Sequence, residues 1–242
     1  MQAFTAAQDP ELDRRADALS VGVWPEYNLH GDVLNTHWGE LDTRFPEFQF
    51  VLVDDAGEPV AQGHMIPCRW DGTIVGLPDG IDDVLLRGLA LDEPPNAASA
   101  LAIEVLPHQQ GRGIAPRMLE EMRAICAAHG LEHLIAPLRP SWKERYPLTP
   151  IDRYAAWARE DGLPFDPWLR THVRAGGEIL RPVERSMRIT GSVAEWESWT
   201  EMAFPDSGSY VFPHGLAPLE IDREADLGAY WEPNIWVRHP VA

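Results

Sequence analysis

The chain has 242 residues, 45% of them hydrophobic, enough for a sizeable core in one α/β unit with insertions. Its formal charge of −18 repels phosphate backbones and anionic lipids, which disfavours nucleic acid and membrane surfaces as partners; the same field either favours a cationic small molecule or only maintains solubility. No stretch approaches the roughly 20 apolar residues that cross a bilayer, residues 1–11 carry no signal-peptide pattern, and two cysteines are too few for a disulfide framework, so the expected compartment is the cytoplasm.

In chain order, Asp9-Pro10-Glu11-Leu12 reads as a helix start, with Asp9 as cap and Pro10 in the first turn. Phe48 to Val53 reads as a strand, Asp54-Asp55-Ala56-Gly57 as a turn, and Val60 to Ile66 as the antiparallel partner. Residues 71–95 crowd six acidic side chains around Arg87 between Gly and Pro punctuation, an excursion from the sheet with a short helix over Asp82 to Leu91. That excursion either lines a substrate pocket or is a plain surface loop.

The clearest unit follows. Ser99 to Leu106 is a strand, Pro107 to Gly113 a glycine-containing loop, Pro116 to His129 a helix closed by Gly130, and Leu134 to Leu138 the next strand. This is a strand–loop–helix–strand unit of parallel type. Beyond residue 140 the pattern weakens. Seven of the ten tryptophans lie there, Ile151 to Glu160 and Pro167 to Ala175 read as helices, and Arg185 to Thr190 and Tyr210 to Pro213 as strands. No linker separates this extension, so residues 1–242 are taken as one domain, and a homodimer stays open.

The chemistry concentrates in Gln110-Gly111-Arg112-Gly113-Ile114-Ala115. Glycines allow close backbone approach to an anion, a helix start offers free N–H groups, and Arg112 adds positive charge; together they suit a pyrophosphate. No Gly-Lys-Ser/Thr follows, so this is not a P-loop, and Pro116 spoils a dinucleotide fingerprint. Val105-Leu106-Pro107 followed by Gln110-x-x-Gly113-x-Ala115 resembles instead the acyl-CoA signature of the GNAT superfamily of acetyltransferases, over about residues 99–138.

The resemblance implies an α/β (α+β) fold with a mixed, mostly antiparallel central sheet flanked by helices and splayed at the acyl-CoA-binding strand. It implies that Glu104 to Leu106, including Val105, bind the pantetheine arm and that Gln110, Gly111, Arg112, Gly113, Ile114 and Ala115 hold the pyrophosphate. Acetyl-CoA or another acyl-CoA would be the co-substrate, and a small-molecule amine the acceptor, attacking the thioester directly. Glu104 resembles the base position; its alternative is a carboxylate bridging a nearby arginine. His172 falls where the family places a tyrosine acid, with Tyr146 and Tyr154 as other candidates; the residues themselves favour a structural histidine and a packing Tyr154.

Tyr230 to His239 is either a terminal strand packed through its tryptophans or a pocket wall with Glu232 receiving a cation. The other histidines, His37, His64, His108 and His129, have no metal-ligand spacing, so no metal is expected. Two further functions keep the loop: a transferase using aminoacyl-tRNA, with Arg139, Lys143 and Arg145 as its basic cluster, and a non-catalytic acyl-CoA-binding module.

Overall fold

The computed structural model describes residues 1–16 and 22–241. Among them, nine strands join in one sheet: β1 (Gln2–Thr5), β2 (Gln49–Val53), β3 (Pro59–Cys68), β4 (Ala97–Val105), β5 (His133–Leu138), β6 (Glu178–Gly191), β7 (Gly208–Tyr210), β8 (Leu219–Asp222) and β9 (Leu227–Pro240). The order is β1-β2-β3-β4-β5-β9-β8-β7, with β6 also paired to β9. The helices are α1 (Pro10–Ala16), α2 (Leu34–His37), α3 (Glu40–Arg44), α4 (Ile81–Leu89), α5 (Ile114–Ala128), α6 (Ile151–Ala155), α7 (Pro167–Arg174) and α8 (Val193–Thr200). The sheet is antiparallel except at β4–β5, the α/β sheet of mostly antiparallel strands expected above.

The β4–β5 pair decides the shape of the molecule. Its parallel ladder holds only Ala97↔His133, Ala98↔Leu134 and Ser99↔Ile135. On its other edge β4 stays paired to β3 as far as Ala61↔Val105. A bulge between His64 and Met65 leaves Leu101 as an extra residue on β4, and bulges bend a strand. Beyond Ser99, therefore, β4 follows β3 and parts from β5.

Helix α5 covers one face of this region. Met118, Leu119, Met122 and Cys126 recur at helical spacing and are fully buried against Phe50, Met65, Ala98 and Leu134. Gly63 is required beneath it: a Cβ there would sit 2.3 Å from the Phe50 ring. The helix begins two residues earlier than the sequence suggested, because Gly113 caps it in a left-handed conformation (φ 79°) and Ile114 is already helical.

Four other expectations need correction, one of them the strand over Tyr210 to Pro213, which runs instead over Gly208–Tyr210. The helix from Ile151 stops at Ala155; the chain then folds back, with Arg159 N–H bonded to Leu163 O and Phe165 N–H to Trp157 O around Gly162 and Pro164. Strand β6 runs through residues 178–191, much longer than Arg185 to Thr190, because its Pro182 and a register break hide the alternation. The break skips Glu184 to Ser186 and leaves Pro233 of β9, which has no N–H to give, without a ladder partner.

The acidic excursion is not a plain surface loop. It docks on that same bulge: Ser186 Oγ accepts from Ile81 N–H at 2.9 Å, Asp82 Oδ2 accepts from Arg188 N–H at 2.8 Å, and Trp236 Nε1 donates to Pro78 O at 3.1 Å. Ile81, Val84 and Leu85 are buried in the core on this face of the sheet.

Replacing Leu119, fully buried under α5, by Ala should lower unfolding stability by about 2–5 kcal/mol through lost burial and a cavity. A shift of the urea midpoint at unchanged slope checks this.

Candidate active site

Where β4 and β5 part, a cleft of about 960 Å³ opens. One wall is β4 from Ala100 to Val105, the other is β5 from Ala136 with Arg139 beyond it; the glycine loop, α7 and the segment around Trp24 to Trp38 close the ends.

The loop is built by its backbone. Val105 ends the strand, Pro107–Gln109 makes one 3₁₀ turn with Gln109 N–H bonded to Leu106 O at 2.8 Å, and Gln110 Nε2 donates to Val105 O at 3.3 Å. Gly111 and Gly113 have φ of 76° and 79°, a region that penalises any Cβ, and a Cβ on either would meet nothing within 4 Å. The glycines thus set the turn and leave open space before it. The helix start leaves the N–H groups of Gly113, Ile114 and Ala115 without helical acceptors, while Pro116 has none to leave. Arg112 is exposed and tied to Gln109 Oε1 at 2.8 Å. Donors and helix dipole converge on the cleft mouth, an arrangement that suits a diphosphate, while Arg112 lies outside the cleft lining.

Glu104 stands on β4 inside the cleft and is only 4% exposed. Trp24 Nε1 donates to its Oε1 at 2.6 Å. A buried carboxylate on a cleft wall is positioned to take a proton from a ligand.

Across the cleft, Glu232 of β9 is buried and engaged. Arg139 Nε donates to its Oε1 at 3.0 Å and Asn28 Nδ2 to the same oxygen at 2.9 Å. Tyr27 and Tyr230 hydroxyls donate to Oε2 at 3.1 and 3.3 Å. Arg139 Nη2 also donates to Tyr27 Oη at 2.8 Å and His214 O at 2.7 Å. Burial alone would depress Arg139, but Glu232, Tyr27 and Tyr230 together outweigh it and raise its pKa. Burial, then Glu232, pushes both tyrosines far up. Glu232 is therefore the built-in partner of Arg139 rather than an open cation receptor. The expected basic cluster is dispersed by the same logic: Lys143 is buried with Nζ on Tyr146 O and Leu216 O, and Arg145 stacks on Trp142.

His172 of α7 lines the cleft, as do Trp168 and Thr171. Asp166 caps that helix through Trp168 and Leu169 N–H groups. The His172 Nδ1 lies 2.8 Å from Nε2 of His239, and burial pushes both imidazoles down. At neutral pH the ring is uncharged, so it has no surplus proton for a leaving thiolate. Tyr146 is outside the cleft lining; it packs with Tyr154, Trp157 and Phe165. Tyr154 is buried, its hydroxyl donating to Asp166 at 2.8 Å. Sequence reasoning missed Trp24 and Asn28 as cleft residues; nothing local to residues 22–30 signals contact with Glu104 or Glu232. Among the described residues no group of three His, Cys, Asp or Glu could hold a metal ion, and no helix is long and apolar enough to cross a membrane.

No family model matches the chain. The arginine N-acetyltransferase avaD of Aspergillus versicolor is 30% identical over 250 residues, covering 90% of this chain and 86% of that protein. Among solved structures, the loading GNATL domain of CurA from Lyngbya majuscula aligns with a TM-score of 0.64 at 20% identity, covering 99% of this chain and 97% of that one. The GphF GNAT-like decarboxylase in complex with isobutyryl-CoA aligns with a TM-score of 0.63 at 17% identity over 100% of both chains. These two share the fold.

Glu232→Leu strands a buried guanidinium and should cost about 3–5 kcal/mol, whereas the double change with Arg139→Met should cost less than the single one; urea titrations of the three proteins compare them. A second outcome concerns acid. Burial pushes His64 down to about 4 from 6.5, and lowers His172 and His239 as well. The unfolded chain then binds more protons below about 6.5, so stability is full above that pH and is lost as the pH falls toward 4. The urea midpoint should be flat from pH 7 to 8 and should drop through that window.

Proposed function

The chain belongs to the GNAT superfamily of acetyltransferases and is an acyl-CoA-dependent N-acyltransferase, and from that premise we propose that it acetylates a small cationic amine in the cleft between β4 and β5. The carrying observation is the parting of these strands after Ser99↔Ile135, which leaves the β4 edge from Ala100 to Val105 open beside a loop of unpaired helix-start amides. In this reading residues 1–242 act as one domain around a continuous sheet.

The donor is acetyl-CoA. Its diphosphate lies at Gln110 to Ala115 against the α5 dipole, and its pantetheine arm follows the free edge of β4 at Glu104, Val105 and Leu106. The acceptor enters from the side of Trp24, Asn28 and Trp38. Arginine, the substrate in the name of the 30% identical relative, is the first acceptor to test. The chain's charge of −18 draws such a cation in.

The amine first gives its extra proton to solvent; its free nitrogen lone pair then attacks the thioester carbon, the N–C bond forms, and the C–S bond breaks. Glu104 takes the proton the amine loses, with Trp24 Nε1–H fixing one carboxylate oxygen. The thiolate leaves and is protonated from solvent. Proximity does much of the rest, since both reactants are held in one cleft.

Calorimetric titration should give micromolar binding of acetyl-CoA and CoA, and a panel of amines including arginine should release free thiol. Glu104→Gln should lower kcat by about 10²–10⁴-fold with acetyl-CoA affinity retained. A chain that binds neither CoA species would overturn the assignment of the cleft.

A further inference from the structure

We propose that His239 is a positioning residue: it donates through Nε2–H to His172 and so holds His172 in the tautomer that presents its own Nε2–H to a carbonyl oxygen of the acyl-pantetheine arm. This rests on the assignment of the cleft to acyl-CoA.

The two imidazoles are buried, 1% and 0% exposed, and their facing nitrogens lie 2.8 Å apart. Both rings are neutral at physiological pH, so one hydrogen sits between them and two arrangements are open. Either way, the remote atoms, His172 Nε2 and His239 Nδ1, have no protein hydrogen-bond partner among the described residues. If His172 donates, His239 keeps an N–H at Nδ1, away from the cleft, where no ligand reaches it. If His239 donates, its Nδ1 holds a lone pair and the orphan N–H is His172 Nε2.

Two observations choose the second arrangement. A buried orphan donor is worse tolerated than an orphan acceptor, so it belongs where a ligand can satisfy it. His172 lines the cleft and His239 does not, and His172 Nε2, on the far side of Cε1 from the bonded Nδ1, is the buried atom left without a protein partner. The Trp168 ring, 4.5 Å from the His172 ring and nearly perpendicular to it, holds the imidazole in this pose. The arm offers two kinds of acceptor, its amide carbonyls and the thioester carbonyl. On the latter, the N–H would stabilise the oxyanion that forms as the amine attacks.

Long-range proton–nitrogen correlation spectra of the full chain labelled at histidine nitrogens read the tautomer directly. Without ligand, His172 should show a protonated Nε2 and an unprotonated Nδ1, and ligand should shift the Nε2 proton. A shift with CoA, which has the amides alone, assigns the contact to an amide; a shift with acetyl-CoA only assigns it to the thioester. His239→Leu should mix the His172 tautomers and lower kcat/KM about tenfold or more. His239→Gln, which keeps a donor at the same reach, should restore most of both, and the wild-type spectrum stands even if the Leu variant does not fold. A proton on His172 Nδ1 in the free protein would overturn the proposal. So would an Nε2 signal indifferent to ligand while the Gly111 and Gly113 amides respond. If those amides also ignore both CoA species and calorimetry shows no heat, the assignment of the cleft fails instead, and ligand contact with it.

Discussion

Three parallel residue pairs between β4 and β5 are the constraint on which the molecule turns. A longer ladder would close the sheet and leave no cleft; a shorter one would leave α5 without a continuous floor. The bulge opposite Leu101 sets the count by bending β4 with β3. From Ala100 onward one edge of β4 then carries backbone groups with no strand to meet them. Buried backbone donors and acceptors demand partners, so an open strand edge inside a cleft is a surface made for an extended, amide-bearing ligand.

The two sides of this opening are held differently. On the β4 side the restraints are local: a 3₁₀ turn, two left-handed glycines and a helix start within ten residues. On the far side they come from everywhere. Arg139 follows β5, Glu232 sits in β9, Tyr27 and Asn28 precede α2, and His214 lies in the connection before β8. A buried ion pair of this kind adds little net stability over an apolar one, but it is intolerant of disorder, because each member left alone is costly. It therefore ties the segment before α2 to the C-terminal strand and fixes that wall of the cleft.

The Trp-rich second half is what makes β9 a strand buried on both sides. Trp196, Tyr27, Phe212 and Tyr230 meet edge to face or stacked around its start, and Trp236 is fully buried further along it. The acidic excursion closes the same core, its Pro78 carbonyl taking the Trp236 indole N–H. Composition alone made that stretch resemble a solvated loop; Ile81, Val84 and Leu85 on one face of α4 turn it into a lid on the core, with the acidic side chains Asp79 and Asp83 toward solvent.

By itself the sequence determined whatever depends on neighbours within a few turns: the hairpin β2–β3, the buried stripe of α5, and the Gln110 to Ala115 loop whose donors follow from glycine and a helix start. It also carried Glu104 to its strand. Only the tertiary structure decided that Trp24 meets Glu104 across 80 residues, that Arg139 meets Glu232 across 93, and that His172 meets His239 across 67. Periodicity records which face of an element is buried, and says nothing of which distant face covers it. A histidine or a glutamate reads the same in the sequence whether it ends in water, in a cleft or against a partner; its protonation and its role come from the desolvation and the contacts that the completed sheet imposes.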